Sequence, residues 1–314
     1  VNPLIEKIIG IKDIIRYHNN LEKIREKLEY EIDGTVFKLN NYNERKNAGS
    51  RSRSPRWAIA GKFKAQQATS IIKDIIIQVG RTGALTPVAR VKPVFVSGVT
   101  VSNVTLHNQD EIDRKDIRLG DKVLIERSGD VIPKIVKVIK RKNQNSIKFK
   151  IDNLCPSCGQ KTVKQNDEAI IRCNNFYCPS QVLGRIQHYC SKLAMNIEGL
   201  GEKIVEQLIE NKLVENIDDL YLIKKSEISK LDGLGEKSAK NIIDSIYNSK
   251  ETTFSKFVYA LGIRNVGEHT SKLLEKRFKG DIDRFKNATE TELLEIDEIG
   301  EIVARSIVLS LIHI

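Results

Sequence analysis

The sequence predicts a multidomain α+β protein, with strands in its first half and helices in its second half. Three observations support this: short runs of alternating apolar residues before residue 151, four cysteines between residues 155 and 178, and one phrase that recurs four times after residue 190. The chain has 314 residues, of which 40% are hydrophobic and 30% charged, a composition typical of globular domains. A chain of this length holds roughly two to four domains.

The net charge of +11 indicates a polyanionic partner. Nucleic acid is favoured over a membrane surface because no segment is strongly amphipathic; a basic protein that is merely soluble is the alternative. The sequence has five cysteines, no apolar signal stretch and no transmembrane run, so we expect a reducing, soluble, cytoplasmic setting without disulfides. The chain begins at Val1 without methionine and ends in an apolar run at Ile314, so we expect a fragment.

Two apolar strands near the start of the chain each carry a lysine, Lys38 in the first and Lys62 in the second. Strand alternation places Lys62 on the same face as Ala58 and Ala60, whose small side chains suit the floor of a pocket. Between residues 44 and 64, seven basic side chains stand against one acidic side chain. We therefore predict a phosphate site here, with edge lysines that only reach into water as the alternative.

The region from about residue 71 to residue 151 consists of short apolar runs separated by turns. Five or six strands in about 80 residues predict a small closed barrel, of which the oligonucleotide-binding (OB) fold is the commonest basic example. A generic barrel is the alternative. Arg81 in a Gly-Arg-Thr-Gly turn, Arg127 and residues 140–142 would place cations along one surface, where we expect DNA. The runs are residues 75–79, 94–96, 99–101, 122–126 and 134–138.

Four cysteines in the middle of the chain have the spacing of a zinc site. Four thiolates at this spacing can surround one zinc ion as a tetrahedron, and four unrelated reduced cysteines are the alternative. His188 and Cys190 could offer a substitute ligand, but both lie in an apolar-periodic segment, so we predict that they belong to a helix face and that Cys190 is free. The predicted ligands are Cys155, Cys158, Cys173 and Cys178.

A phrase with two glycines around one apolar residue recurs after the cysteines. Its first positions, residues 199, 233, 265 and 298, are separated by 34, 32 and 33 residues, and each phrase precedes an amphipathic segment. Each unit is predicted to be a helix, a glycine hairpin and a second helix, whose free N–H groups can hold a phosphate oxygen. Such contacts position a protein on DNA without reading its bases. The glycines expected at DNA are Gly199, Gly201, Gly233, Gly235 and Gly267.

The four copies are not equivalent, because the third has Asn265 and the fourth has Glu298 at the first glycine position. Asparagine tolerates a left-handed backbone, whereas glutamate does so poorly and would place a negative charge near the phosphate. We therefore expect the fourth hairpin to be mainly structural, and we expect a left-handed backbone at Gly235. The four copies resemble the tandem helix-hairpin-helix domain of DNA repair proteins; ordinary helix links are the alternative.

Taken in order, the motifs resemble those of bacterial NAD-dependent DNA ligases. The matching segments are residues 30–38, 55–63, 79–89, 104–108 and 129–133, the four cysteines and the tandem hairpins. The resemblance implies the C-terminal strands of a nucleotidyltransferase (adenylation) domain at 1–66, an OB-fold domain at 67–150, a four-cysteine zinc finger at 151–182 and an all-α helix-hairpin-helix domain at 183–314.

In that family a lysine takes AMP from NAD and passes it to the 5′-phosphate of a nick, and the 3′-hydroxyl then displaces AMP. The resemblance implies that Lys38 and Lys62 contact the nucleotide and its phosphate, that Glu31 and Asp33 help to hold magnesium or water, and that Arg81 faces DNA. It also implies NAD, a structural zinc ion, and magnesium or manganese. The implied partner is nicked duplex DNA during replication and repair, bound by a monomer in the bacterial cytoplasm, at the nucleoid and without a membrane.

The nucleophile of that family lies in a Lys-x-Asp-Gly motif well upstream of the first lysine strand, so we expect it to precede Val1. The segment Lys230-Leu-Asp-Gly233 has the same spelling, but it runs into the second hairpin, where its glycine is needed for the turn. We interpret it as a coincidence, because so short a pattern means little outside its strand context.

A second departure from the family is Gly61, which stands where an aromatic residue is expected and leaves that side of the pocket less filled. The competing hypothesis is a non-catalytic zinc and helix-hairpin-helix module that binds nicked or branched DNA. Only the strands of Lys38 and Lys62 distinguish the two readings, because a pure binding module does not need them.

Overall fold

The computed structural model describes residues 2–51, 54–127, 132–141, 147–165 and 168–313. Most of the 129–133 motif, and Lys142 of the basic run, therefore lie outside the described residues. The chain divides into two units. The first consists of Val1–Gln78, Leu85–Asp152 and Lys164–Ile171, and the second of Val79–Ala84, Asn153–Val163 and Arg172–Ile314. No helix in the described part of the chain is long and apolar enough to cross a membrane.

The first unit begins with a helix that packs on a two-stranded antiparallel ribbon. On the packed face, Nδ1 of His18 lies 2.9 Å from Oγ1 of Thr35, and the rings of Tyr17 and Phe37 are 6.2 Å apart. Both predicted lysine strands are thus present. The elements are α1 (Ile11–Ile24), a 3-10 turn (Arg25–Lys27), β1 (Gly34–Lys38), α2 (Tyr42–Ala48) and β2 (Ala58–Lys62).

The first unit contains a closed barrel of five strands, which confirms the prediction of a small closed barrel with five or six strands. Its elements are β3 (Gln66–Val79), β4 (Leu85–Val96), β5 (Val99–Thr105), α3 (Gln109–Lys115), β6 (Lys122–Arg127) and β7 (Lys134–Lys140). The strand order is β3-β4-β5-β7-β6, in which β5 and β7 run parallel. Alternate apolar side chains from every strand fill the interior, among them Ile72, Val91, Val104, Ile125 and Ile135.

Helix α3 has no counterpart in the sequence-based expectations. Its N-cap is Asn108, whose Oδ1 accepts a hydrogen bond of 2.9 Å from the N–H of Glu111. Asparagine followed three residues later by glutamate is a helix-start pattern, so the signal was present in the sequence. Ile112 is buried and ties the helix to the barrel core.

The second unit contains the cysteines and the repeats. Strands β8 (Thr162–Lys164) and β9 (Ile171–Cys173) pair, and α4 (Pro179–Cys190) follows with proline at its start. The four phrases stand directly before α5, α7, α9 and α12, which confirms the repeat prediction. The helices are α5 (Glu202–Glu210), α6 (Lys225–Ile228), α7 (Glu236–Asn248), α8 (Phe254–Ala260), α9 (Glu268–Phe278), α10 (Ile282–Lys286), α11 (Glu290–Leu294) and α12 (Glu301–His313).

The repeat helices form two hydrophobic cores. The first core takes buried residues from Val182 to Ala260 and so contains repeats one and two. The second takes buried residues from Phe254 to Ile307 and contains repeats three and four. A hydrogen bond of 2.7 Å from the N–H of Glu198 to Oγ of Ser245 joins the first hairpin to the helix of the second. The repeats are therefore organised as two pairs.

Candidate functional site

The register of the β1–β2 ribbon places both predicted lysines on one face. Lys38 lies opposite Ala58, and Lys62 lies opposite Gly34. Directly opposed residues of antiparallel strands share a face, so both lysines stand on the side away from α1. They are separated by four strand positions, or about 13 Å. Between them lie Val36, which is 61% exposed, and small alanine side chains, so the face is an open shallow floor with a cation at each end.

The side chain of Lys62 has one acidic neighbour. Its Nζ lies 2.5 Å from Oδ2 of Asp33, and the two side chains are 56% and 43% exposed. An ion pair this exposed to water contributes little to stability, so an incoming phosphate could compete for the ammonium group. Glu31, the other acid that the resemblance assigns to this pocket, also precedes β1, and its carboxylate lies against Gly98 in the β4–β5 turn.

The position of Gly61 corrects one expectation. It lies on the ribbon face that packs on α1, because it alternates with Lys62 along β2. A side chain there would begin 3.2 Å from Nδ1 of His18 and 3.2 Å from Oγ1 of Thr35. The ring of His18 also stacks near that of Phe63, with centroids 5.0 Å apart. The missing aromatic residue thus leaves the lysine face unchanged and makes room for His18 behind it.

The four predicted cysteines come together as one metal site. Their sulfurs all lie within 4.8 Å of one another, with 3.9 Å between Cys155 and Cys178 and 3.5 Å between Cys158 and Cys173. A tetrahedron with Zn–S bonds of about 2.3 Å has edges of about 3.8 Å, so the residues fit a zinc ion. All four are free thiols, and three of them are buried.

The thiols need a cation if they are to ionise together. Burial raises the pKa of Cys155 and raises the pKa of Cys173 to about 12. Burial also acts to raise the pKa of Cys158, but hydrogen bonds from the Gln160 backbone and from Asn175 outweigh it and leave that pKa at about 7. A bound zinc ion supplies the positive charge that holds buried thiolates. The fifth cysteine, Cys190, packs in the first helical core, where burial raises its pKa to about 12.

The two arginines that were predicted to contact DNA both contact other parts of the protein. Arg81 is half-buried against Gly184 of α4 and against Gly262, and its Nη1 is buried without a hydrogen-bond partner in the described structure. Burial lowers the pKa of its guanidinium. Arg127 donates from Nη1 to the carbonyl of Ser97 at 2.8 Å. Neither packing arrangement follows from the local sequence, because the partners lie at least 30 residues away along the chain.

The four hairpins present an open backbone where each helix begins. The second glycine of each phrase, at 201, 235, 267 and 300, has nothing within 4 Å of the place that a Cβ would occupy. The left-handed residue is the first of each phrase: φ is 89° at Gly199, 78° at Gly233, 63° at Asn265 and 70° at Glu298. The expectation for Gly235 was therefore wrong, since its φ is −98°. Glu298 adopts the left-handed conformation despite its side chain.

The fourth hairpin differs from the others in its charge. The carboxylate of Glu298 lies 3.0 Å from Nε2 of His269, which belongs to the first turn of the third hairpin's helix. Nδ2 of Asn265 donates to Oγ of Ser306 at 3.1 Å, a second contact between the two repeats. A carboxylate at this place opposes an approaching phosphate, whereas its hydrogen bond with His269 joins repeats three and four.

Family models match most of the chain. The adenylation domain of NAD-dependent DNA ligases matches residues 1–66, their OB-fold domain matches 69–147, and their C4 zinc finger domain matches 155–179. A SAM-like helix-hairpin-helix tandem matches residues 191–246, and a helix-hairpin-helix motif matches 256–310. The matched domains follow one another in the order that the sequence motifs predict.

Several curated relatives, each named DNA ligase, are similar over 98% of this chain. They include proteins of Geobacter sulfurreducens (48% identical over 309 residues), Syntrophus aciditrophicus (49% over 308) and Nitrosococcus oceani (48% over 308). The chain spans about half the length of these relatives, 46% of the first two and 45% of the third. From the matched domains, the four-cysteine site and these relatives, the chain belongs to the family of NAD-dependent DNA ligases.

Proposed function

We propose that this chain is the adenylate-holding ribbon and DNA-binding part of an enzyme that seals nicks in duplex DNA during replication and repair. The reaction joins a 5′-phosphate to a 3′-hydroxyl, with AMP taken from NAD by a lysine upstream of residue 1 and then carried on the DNA end. The observation that carries the proposal is the ribbon, which holds Lys38 and Lys62 on one open face. A module that only binds DNA has no need of such a face.

The two lysines act on charge rather than on covalent bonds. A phosphoryl group in transfer carries negative charge on its oxygens, and fixed cations lower the energy of that state. The strand register supports this role, because a nucleotide lying across Ala58 and Ala60 would meet Lys38 at one end and Lys62 at the other. Asp33 would orient the Lys62 ammonium group until phosphate replaces it. Magnesium or manganese would neutralise further phosphate charge.

Removing either lysine from the full-length enzyme tests this role. Lys38→Ala and Lys62→Ala should each slow adenylation by roughly 100-fold to 1000-fold, the usual effect of losing one electrostatic group. Lys46→Ala is the matched control, because Lys46 is an exposed lysine of α2 within the same basic segment. Single-turnover formation of the labelled AMP adduct is the measurement. Equal rates for Lys62→Ala and Lys46→Ala would contradict the proposal.

The chain as it stands should form no covalent AMP adduct with labelled NAD and magnesium. Lys230 is the single lysine with Lys-x-Asp-Gly spelling, and it lies in the second hairpin, where the Asp232 N–H is bound to Oε1 of Gln207 at 2.8 Å. An acid-labile labelled band that disappears in Lys230→Ala would overturn both the role of an upstream nucleophile and the interpretation of this motif.

We infer further that Arg81, Arg127 and the first three hairpins bind nicked duplex DNA through its phosphates, and that the protein acts as a monomer in the bacterial cytoplasm. The open N–H groups before α5, α7 and α9 support phosphate contacts that are independent of base sequence. We retain the boundaries 1–66, 67–150, 151–182 and 183–314 for the four domains. Binding should weaken steeply as salt increases, because each phosphate contact releases counterions.

The ranking of the hairpins can be measured by DNA titration. Gly235→Val should weaken binding more than Gly300→Val, because both changes crowd an open helix start but the fourth hairpin already carries Glu298. Neither glycine has a left-handed φ, so valine strains the backbone at neither position. Equal losses of affinity in two folded variants would contradict the ranking.

A further inference from the structure

The turn that carries Arg81 belongs structurally to the zinc-bearing unit. Residues Val79–Ala84 connect β3 to β4, yet they group with Asn153–Val163 and Arg172–Ile314. Within the turn, the Gly80 N–H donates to the carbonyl of Ala84 at 2.9 Å, and the Gly83 N–H donates to that of Gly80 at 2.8 Å. These two hydrogen bonds close the turn on itself, so a contact at one of its residues positions the whole turn.

A zinc-ligating residue holds this turn directly. The backbone N–H of Cys173 donates to the carbonyl of Gly83 at 2.9 Å, and Ala84 forms an antiparallel bridge with Arg172. The guanidinium of Arg172 also donates to the carbonyl of Thr82 at 3.3 Å and to its hydroxyl at 3.2 Å. The turn therefore pairs with the end of β9, at the residue whose sulfur meets the metal.

A buried side-chain amide binds the backbone carbonyl of the same cysteine. Gln181 of α4 is 6% exposed, and its Nε2 donates to the carbonyls of Cys173 at 2.9 Å and Asn175 at 3.0 Å. Both amide protons are thus used on the loop between two zinc ligands. The same Nε2 lies 3.2 Å from where a Cβ at Gly83 would stand, and that Cβ would collide with the Cys173 carbonyl. Only glycine allows this approach, and its φ of 76° favours glycine as well.

Helix α4 presents one face to the turn. Gln181, Gly184 and His188 are spaced by three and four residues, so they lie along one side of the helix. A Cβ at Gly184 would stand 2.9 Å from the Cβ of Arg81. The absence of a side chain at Gly184 therefore lets Arg81 pack directly on the helix backbone. His188 Nε2 donates to the carbonyl of Tyr259 at 2.8 Å, which holds the chain just before Gly262, the other neighbour of Arg81.

We propose that Gln181 and Gly83 couple the zinc site to the Gly80–Gly83 turn, so that zinc binding fixes where the Arg81 guanidinium stands. Gln181 is a positioning residue: it holds the Cys173 and Asn175 peptides and through them the turn. The coupling itself is independent of the proposed function, whereas its consequence for DNA rests on the role of Arg81 proposed above. Coupling of this kind is reciprocal, so disturbing the turn should loosen the metal as well.

Zinc release from the 314-residue chain tests the amide. In Gln181→Leu, the buried carbonyl of Cys173 and the part-buried carbonyl of Asn175 lose their donor while the side-chain volume is kept. We expect release to a chromogenic chelator to be roughly 10-fold to 100-fold faster, as for other groups that orient metal ligands. Gln207→Leu is the matched control, because Gln207 also makes two hydrogen bonds, both to Asp232. Equal release rates in Gln181→Leu and the parent chain would overturn the role of Gln181.

A pair of changes within the turn tests the coupling in the opposite direction. Gly83→Ala should push the turn off Cys173 and accelerate zinc release, whereas Gly80→Ala should not, since a Cβ at Gly80 meets only the Ala84 carbonyl at 3.7 Å. Hydrogen exchange of residues 79–84 should increase in Gly83→Ala and equally when zinc is removed from the parent chain. This pair also decides the case if Gln181→Leu does not fold. Unchanged exchange after zinc removal would overturn the proposal.

Arg81→Ala separates this inference from the proposed function. It should weaken binding to a nicked duplex while leaving the rate of zinc release unchanged, because the Cys173 and Gln181 contacts involve Gly83 and not the arginine side chain. Unchanged DNA affinity in Arg81→Ala would refute the DNA role of Arg81 but not the coupling. Zinc release as fast as in Gly83→Ala would instead show that Arg81 packing, rather than the Gly83 peptide, holds the site.

Discussion

The four cysteine sulfurs lie within 4.8 Å of one another and three of the residues are buried, whereas Lys38 and Lys62 stand about 13 Å apart on an exposed ribbon. The four sulfurs already stand at distances that suit a tetrahedral zinc ion. The backbone N–H groups of Cys155, Cys173 and Cys178 donate to backbone carbonyls. The two lysines stand at opposite ends of an open floor, where the proposed nucleotide would lie between them. Loss of a cysteine should therefore affect structure, whereas loss of a lysine should affect chemistry.

The largest effect should come from Cys173→Ser. Three thiolates cannot close the tetrahedron, and the serine removes the ligand whose backbone also holds the Gly80–Gly83 turn, so zinc content should fall well below one per chain. The thermal midpoint of the second unit should fall with it, because zinc binding contributes folding free energy. Cys190→Ser is the control and should keep about one zinc ion. Metal analysis and calorimetry on both variants measure these two effects. A full zinc content in Cys173→Ser would contradict the prediction that the cysteines, unlike the lysines, are needed for structure.

The second hairpin should also contain one residue needed for structure, Gly233, and one that is open for binding, Gly235. Gly233→Ser places a side chain at a φ of 78° and should cost roughly 1–2 kcal/mol of unfolding free energy. Gly235→Ser should change stability by less than about 0.5 kcal/mol, since φ is −98° there, the space is open and serine is a good N-cap. Denaturant titration measures both. A larger cost at Gly235 would mean that its backbone is structural rather than exposed for binding.

Lys62→Ala should have a smaller effect on stability than Cys173→Ser or Gly233→Ser. The partner carboxylate of Asp33 and the ammonium group are both largely in water, so we expect about 0–1 kcal/mol. The measurement is urea unfolding of the 314-residue chain at moderate salt. A loss of several kcal/mol would show that the ribbon depends on this ion pair, and the slow adenylation expected for Lys62→Ala would then have a structural cause.

The smallest effect concerns Cys190. Because burial raises its pKa to about 12, the reactive thiolate at pH 8 is roughly one part in ten thousand. As pH rises towards that pKa the thiolate fraction grows, so reactivity should appear only in strong alkali or after unfolding. A disulfide reagent should therefore modify no thiol quickly in the zinc-loaded chain at pH 8. Rapid reaction of one thiol that persists in Cys173→Ser but is lost in Cys190→Ser would contradict its place in the core.

The sequence contained what was needed for the zinc site and the barrel, because both depend on short-range spacing. The cysteines fall within 24 residues, and alternation along each strand decides which side chains enter the barrel. Strand alternation also predicts the position of Gly61 correctly. The rule that places Lys62 and Ala60 on one face of the ribbon places Gly61, which lies between them, on the opposite face. That error came from the family comparison, which named a missing aromatic residue without the face it belongs to.

Contacts between distant segments could not be predicted in this way. The attachment of the Gly80–Gly83 turn to Cys173 joins residues about 90 positions apart, and no local pattern announces it. The φ of 70° at Glu298 is another case, since intrinsic preference disfavours it and the surrounding fold imposes it. Its hydrogen bond with His269 and the pairing of repeats three and four offset the local cost.

Helix α8 contributes side chains to the hydrophobic cores of both hairpin pairs. Phe254 and Val258 on one side belong to the core of repeats three and four, whereas Ala260 and the partly buried Phe257 belong to the core of repeats one and two. If one pair opens locally, this seven-residue helix loses half of its packing and keeps the other half. Opening of one pair would therefore expose one side of α8 to water while the other side stayed packed in the core of the second pair.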